Sequence, residues 1–330
     1  MIRTRIIGTG SYVPERVVSN EEVGGPLGIG PELAFQLTGI RERRRAADRE
    51  ASSDLAVAAA RSALDAAGIP ASSIQAILVS TTSPDTIFPS TACYVQSKLG
   101  CRGVAAFDLA ASCSGFLYGL SMADAMIRSK QIEQCLVVAA EVKSRMVDGA
   151  DPDTALLFGD GAGAAVLRKE DVEGHPHPGI LGIHLHADGS RHDLVRIPAG
   201  GSSAPATRDS LRQAQHAMRM RGAPLFRLAV KKLEQSIRET LKEFGIGVEE
   251  LAQVVLHQAN GRILSLLTDR LGVSPSKICT VIERYGNTSS ASLPIALDHA
   301  VRSAKIARHD LVLLGSFGGG IAWATGLVRW

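Results

Sequence analysis

The chain repeats itself. Residues 63–82 (Ala-Leu-Asp-Ala-Ala-Gly-Ile-Pro-Ala-Ser-Ser-Ile-Gln-Ala-Ile-Leu-Val-Ser-Thr-Thr) read as a helix end, a Gly stop and a buried strand. Residues 240–259 (Thr-Leu-Lys-Glu-Phe-Gly-Ile-Gly-Val-Glu-Glu-Leu-Ala-Gln-Val-Val-Leu-His-Gln-Ala) repeat that pattern without a gap. Gly68 falls on Gly245 (245 − 68 = 177). Each Gly is a helix C-cap signal, and the apolar runs 76–79 and 254–256 have the character of central parallel strands. Further on, Ile127-Arg128-Ser129-Lys130-Gln131-Ile132 echoes Val301-Arg302-Ser303-Ala304-Lys305-Ile306 (301 − 127 = 174). Each of these segments ends a helix and leads into an apolar strand, Cys135 to Ala140 and Leu311 to Gly315. An α/β unit used twice, with a pseudo-twofold axis, would bring equivalent helix starts together near its centre. The second offset puts Cys113 opposite Asn287 (287 − 113 = 174).

The 330 residues exceed one ordinary core and suit two packed halves. An Ala-rich helix is expected over 52–67, with Ser52 or Ser53 as N-cap, and a long amphipathic helix over 223–244. Residues 169–213, rich in Gly, His, Pro and Ser, read as the connection, with some strand from Ile180 to His186. The boundary is expected near residue 173, giving halves 1–173 and 174–330.

Hydrophobic residues at 45% and charged residues at 21% describe a soluble globular chain. A net charge of +3 and only 4% aromatics exclude a nucleic-acid stacking surface. The N-terminal Met-Ile-Arg-Thr-Arg-Ile-Ile-Gly is a strand pattern and not a signal peptide. No apolar run of about 18 residues is present, so no membrane span is expected. Five cysteines (93, 101, 113, 135, 279), odd in number and without Cys-x-x-Cys, argue against a disulfide framework or a zinc site and for a reducing cytoplasm.

Cys113 follows an apolar strand, Val104 to Leu109, and precedes a buried helix pattern beginning Ser114-Gly115-Phe116. At a helix N-terminus the dipole favours a thiolate, by up to roughly 2 kcal/mol when partly buried. Cys93, Cys101, Cys135 and Cys279 lack that setting and read as small buried hydrophobes. His257 ends the strand Val254-Val255-Leu256 and projects into a cleft, where a neutral ring can donate at one nitrogen and accept at the other. His175, His177, His184, His186 and His192 cluster in the connection. His184-x-His186 has metal-ligand spacing, but no carboxylate or Cys completes a set, and alternate residues of an edge strand are more often solvated.

Asn287 follows Tyr285-Gly286 at a second helix start, where an N-cap is the ordinary role. Facing Cys113, it makes a better donor. Asn and His together offer two N–H groups to one thioester carbonyl, and one well-aimed donor of this kind is worth roughly 3–4 kcal/mol. Gly315-Ser316-Phe317-Gly318-Gly319-Gly320 closes a strand with backbone N–H groups able to reach an oxyanion. Phe158-Gly159-Asp160-Gly161-Ala162-Gly163 leads into a strand, Ala164 to Leu167, and not a helix. It therefore reads as a structural hairpin and not a dinucleotide loop.

Ala-Ser-Cys-Ser-Gly-Phe, His-Gln-Ala-Asn, Gly-Asn-Thr-Ser and Phe-Gly-Gly-Gly, in this order, resemble the β-ketoacyl-acyl-carrier-protein synthase III family of the thiolase superfamily. Thr38-Gly39-Ile40-Arg41-Glu42-Arg43 and Gly159-Asp160-Gly161-Ala162-Gly163 extend the resemblance over nearly the whole chain. It implies an α/β, thiolase-like five-layered αβαβα fold, a homodimer and ping-pong acyl transfer. Cys113 would take the acyl primer from an acyl-coenzyme A. His257 and Asn287 would drive decarboxylation of malonyl-acyl carrier protein, and the carbanion would attack the acyl-enzyme. The resemblance further implies an oxyanion hole from the backbone N–H groups of Cys113 and Gly319. No permanent cofactor and no metal are implied. Phe88 would line the partner's acyl pocket, and Arg227 and Arg262 would meet the acyl carrier protein.

Four positions depart from the family pattern. The Trp and Arg that sandwich the coenzyme A adenine correspond to Leu33 and Pro152. An Arg near the mouth corresponds to Leu37, and an Asn of the tunnel wall to Ala223. Leu156, Leu157 and Phe158, with Phe88 and Ala223, are expected to shape the acyl pocket. A cation and an aromatic face are missing, worth roughly 0.5–2 kcal/mol of stacking. The primer donor is thus open between a carrier-bound acyl group and a coenzyme A thioester held differently. The competing activity is acyl transfer from Cys113 to an oxygen or nitrogen nucleophile without decarboxylation.

Overall fold

The computed structural model describes residues 2–171 and 178–330. The expected boundary near 173, and with it His175 and His177, lies outside the described residues. Two five-stranded sheets carry the fold. The first is built from β1 (Ile2–Tyr12), β2 (Ala76–Ser80), β3 (Ala105–Leu109), β4 (Gln134–Val142) and β5 (Asp160–Asp171), in the order β1-β5-β4-β2-β3. The second is built from β6 (Gly179–Ala187), β7 (Leu251–Leu256), β8 (Ile278–Cys279), β9 (Leu311–Gly318) and β10 (Ala322–Arg329), in the order β6-β10-β9-β7-β8. The sheets are built alike. In each, the fourth and fifth strands of that order run parallel to the third, and the first two pair antiparallel. The repeat seen in the sequence is therefore a repeat of topology.

Helices α1 (Ser52–Ala67) and α2 (Thr91–Leu99) cover the outer face of the first sheet, and α4 (Gly222–Phe244) and α5 (Gly261–Leu271) that of the second. α3 (Gly115–Arg128) and α6 (Ser292–Arg302) lie between the sheets, in a core that draws on strands of both. This is the five-layered αβαβα arrangement. The outer α4 buries Val230, Leu233, Ile237 and Leu241 at helical spacing and turns charges outward. The central α3 is apolar on more than one face because a sheet lies on either side. Phe116, Leu117, Leu120 and Ile127 are fully buried, each contributing about 1.5–3 kcal/mol. Gly68 and Gly245 end α1 and α4 in left-handed conformations, at φ 66° and 64°.

Three local expectations are corrected. Ser52 and Ser53 are the first helical residues of α1 and not its cap. Ala51 is the cap, and its N–H is satisfied by the Asp54 carboxylate at 2.9 Å. Gly161 and Gly163 belong to strand β5 and not to a hairpin turn. A Cβ on Gly163 would stand 2.7 Å from Cβ of Pro294, so glycine is what lets α6 close onto the strand. His184 and His186 are not simply solvated. His184 bonds Thr240 at 3.2 Å and pairs with Glu243, and His186 stacks on Trp323 with ring centroids 5.1 Å apart. Among the described residues no group of His, Cys, Asp and Glu could hold a metal, and no helix is long and apolar enough to cross a membrane.

Candidate active site

Cys113 sits in a 3-10 turn, Ser112–Ser114, that joins β3 to α3. Ser112 enters it at φ 49°. The second central helix is entered the same way, through a 3-10 turn Ser289–Ala291 whose first residue has φ 53°. The two strained serines are 177 positions apart (289 − 112 = 177), the offset of the first repeat. Left-handed backbone at a non-glycine residue costs about 1–3 kcal/mol and persists where surrounding structure enforces it. Asn287 lies two residues before its turn, whereas Cys113 lies within its own. The duplication therefore brings the two side chains to one place without making them strictly equivalent.

A cavity of about 510 Å³ brings Cys113, His257 and Asn287 together. His257 follows β7 and is buried, with its N–H on the Gly315 carbonyl at 2.8 Å and Nδ1 2.5 Å from Ser292 Oγ. Asn287 accepts the Ser289 N–H on Oδ1 at 2.8 Å and donates from Nδ2 to the Ala259 carbonyl at 3.3 Å. One Asn287 N–H is left for the cavity. The sulfur of Cys113 lies 3.5 Å from Ser289 Oγ and 3.9 Å from Ser112 Oγ. Burial pushes its thiol up, but the His257 ring beside it, by charge and hydrogen bond, together with Ser289 and Lys143, brings it down to about 7.

Behind the sulfur lies a buried ion pair that the sequence reading did not single out. Ser289 Oγ donates to Glu141 Oε1 at 3.1 Å, and Ser290 Oγ to the same atom at 2.8 Å. Glu141 Oε2 takes the Ser83 hydroxyl at 2.6 Å, the Thr82 N–H at 3.2 Å and the Lys143 ammonium at 3.2 Å. Burial raises the Glu141 carboxyl, yet Lys143 and these donors hold it below the usual carboxylate range. The signal was present in the sequence: Glu141-x-Lys143 closes a run of apolar residues, and two charges at the end of a buried run must be paired. Ser289 and Ser292 lay within the Asn287 motif itself.

Of the pocket residues expected from sequence, Leu156, Leu157, Phe158 and Ala223 line the cavity. So do Leu37, Pro152, Arg227 and Arg262. Leu33 does not. It stands one turn nearer the start of helix Pro31–Thr38 than Leu37 and is 49% exposed. Phe88 does not line it either, and is 87% exposed beside Ile87 at 92%. The Gly319 N–H, expected to be open for an oxyanion, donates to Ser112 Oγ at 3.1 Å. A substrate oxygen would have to displace that hydroxyl to reach it.

The family model described as 3-oxoacyl-[acyl-carrier-protein (ACP)] synthase III matches residues 107–189, and its C-terminal companion matches residues 241–330. A β-ketoacyl-[acyl-carrier-protein] synthase III of Xanthomonas campestris is 44% identical over 329 residues, covering 100% of this chain and 99% of the relative. Its counterpart in Thiobacillus denitrificans is 44% identical over 334 residues, covering 100% of both. Among solved structures, the 3-oxoacyl-[acyl-carrier-protein] synthase III of Aquifex aeolicus superposes with a TM-score of 0.88 at 38% identity, over 99% of this chain and 100% of that one. The priming β-ketosynthase of the R1128 polyketide pathway gives 0.91 at 36% identity, over 99% and 96%.

Proposed function

The chain belongs to the 3-oxoacyl-[acyl-carrier-protein] synthase III family of acyltransferases, and on that premise we propose that it joins an acyl primer to malonyl-acyl carrier protein by decarboxylative Claisen condensation at Cys113. The observation that carries this reading is a thiol near neutral pKa beside His257 in a cavity that also holds the Asn287 amide. In the first half-reaction the Cys113 thiolate attacks the primer thioester, and the carrier thiol leaves with a proton. In the second, malonyl-acyl carrier protein loses carbon dioxide. The enolate oxygen is held by His257 and the free Asn287 N–H. The carbanion then attacks the acyl-Cys113 carbonyl, and the thiolate is expelled as the 3-oxoacyl product forms.

The backbone N–H groups of Cys113 and Gly319 serve the tetrahedral oxyanion of acyl transfer, once Ser112 Oγ has turned away from Gly319. Arg227 and Arg262 at the cavity mouth suit an acidic acyl carrier protein. Leu33 stands off the mouth and Pro152 offers no guanidinium. The site therefore has little to grip a coenzyme A adenine, and a coenzyme A primer is held by its pantetheine arm. The exposed Ile87–Phe88 tip and the poorly covered edge strand β3 support a homodimer. All five cysteines are free, which suits a reducing cytoplasm.

Intact-mass measurement tests the reading. The protein is exposed to acyl-coenzyme A and acyl-carrier-protein thioesters, then to malonyl-acyl carrier protein. A mass gain on the wild type that is absent from Cys113→Ala, followed by a 3-oxoacyl product, is expected. His257→Ala should slow decarboxylation more than acylation. An ester or amide product without carbon dioxide release would replace condensation by simple acyl transfer.

A further inference from the structure

The cavity wall near Cys113 contains a charged group that a hydrocarbon primer does not need. Lys143 follows β4, is 4% exposed, and lines the cavity. Its ammonium gives one N–H to Glu141 Oε2 at 3.2 Å and one to the Thr82 hydroxyl. A lysine has three donors, and among the described residues the third finds no acceptor. Glu141 does not line the cavity, so of the two charged residues only Lys143 borders the substrate space, and Glu141 is locked behind it by Ser83, Ser289 and Ser290.

We infer that the primer accepted at Cys113 carries a hydrogen-bond-accepting oxygen on its acyl chain, held by the ammonium of Lys143. This rests on the acyl-enzyme reading above and names the substrate class of that site. A bare methylene chain laid against Lys143 would strip water from an N–H and return nothing, and a buried donor left without a partner is costly. An oxygen on the chain satisfies it. Leu156, Leu157 and Phe158 provide an apolar wall for the carbon atoms. Lys143 forms no covalent bond. The chemical step remains thioester exchange, in which the Cys113 sulfur gains the acyl group and the departing carrier thiol takes a proton.

A matched set of four-carbon primers tests this: butyryl, 3-hydroxybutyryl and succinyl, each as a pantetheine thioester. The rate of mass gain at Cys113 is followed on the full-length wild type, on Lys143→Leu and on the double variant Glu141→Gln with Lys143→Leu. The double variant removes both charges and keeps the interior balanced should the single change misfold. An oxygenated primer should react at least about tenfold faster than butyryl in the wild type, the selectivity expected of a site built to bond an oxygen. That advantage should fall to within about twofold in the variants. A lead for 3-hydroxybutyryl assigns a neutral oxygen, and a lead for succinyl a carboxylate. Butyryl reacting as fast as both others, or an advantage that survives loss of Lys143, overturns the inference while leaving the acyl-enzyme intact. No mass gain from any thioester removes the acyl-enzyme and this inference together.

Discussion

Ser292 Oγ lies 2.5 Å from Nδ1 of His257 and also receives the Gln258 N–H at 3.1 Å. A hydroxyl that accepts from a backbone N–H has its single proton free for the ring nitrogen. The hydroxyl keeps a second lone pair as well as its proton, so it holds Nδ1 whichever of the two atoms donates, and it leaves Nε2 for the cavity. His257 is thereby oriented toward the sulfur and a substrate oxygen.

Ser292→Ala removes that constraint and lets the ring turn from its place beside the sulfur and the substrate oxygen. Decarboxylation of malonyl-acyl carrier protein by pre-acylated protein should slow by up to about a hundred- to thousandfold, the scale of losing one oxyanion donor. Carbon dioxide release in a single turnover measures it. An unchanged rate would show that Ser292 does not set the ring.

Alkylation of Cys113 reports its charge directly. With the thiol at about 7, the iodoacetamide rate should reach half its plateau near pH 7 and fall below it as the thiolate is protonated. Cys135 and Cys279, pushed by burial to about 12 and about 11, should stay unlabelled in the native protein. His257→Ala removes the largest of the influences that lower the thiol and should move the midpoint upward. A midpoint that stays in place would assign the shift to Ser289 and Lys143 instead.

Glu141 couples the site to stability. Its carboxyl is held below the ordinary value in the folded chain, so its contribution is complete above the unfolded pKa, about 4.3, and drains away as pH falls through the folded one. Glu141→Ala leaves Lys143 buried without a counter-charge, which should cost about 3–5 kcal/mol in urea unfolding at pH 7. Glu141→Gln combined with Lys143→Leu should cost less than Glu141→Ala alone. The reverse order would show that the pair is not stabilised as a unit.

Much of this was open to reading because it is written locally. Gly68 and Gly245 stop helices by their own conformation, and apolar runs at 76–79 and 254–256 become strands wherever they are buried. Cys113, His257 and Asn287 were legible because each ends or opens an element. What was missed depends on partners distant in sequence. Ser53 does not cap its helix because the Asp85 carboxylate takes both its N–H, at 3.1 Å, and its hydroxyl, at 2.5 Å. Gly163 reads as a turn until Pro294 is packed against it. Glu141 and Lys143 announce a buried pair, but not that Ser289, 148 residues away, links it to the sulfur.

Gly318 tests whether the nucleophile is held by the far half of the chain. It ends β9, and its missing side chain is the space Cys113 occupies. A Cβ there would stand 2.6 Å from the Cys113 nitrogen and 2.8 Å from its Cβ. Neither atom can yield alone, because one belongs to the backbone and Ser112 before it is already held at φ 49°, so the turn must move as a whole. Gly318→Ala should therefore displace the turn 112–114 while leaving the sheets paired. Acylation of Cys113 should fall at least about a hundredfold, since misplacing a reacting group by about 1 Å costs that much. The alkylation midpoint should rise as the sulfur leaves His257, and far-ultraviolet circular dichroism should stay unchanged. Full acylation in a folded Gly318→Ala protein would show that the turn moves freely and that β9 does not fix the sulfur.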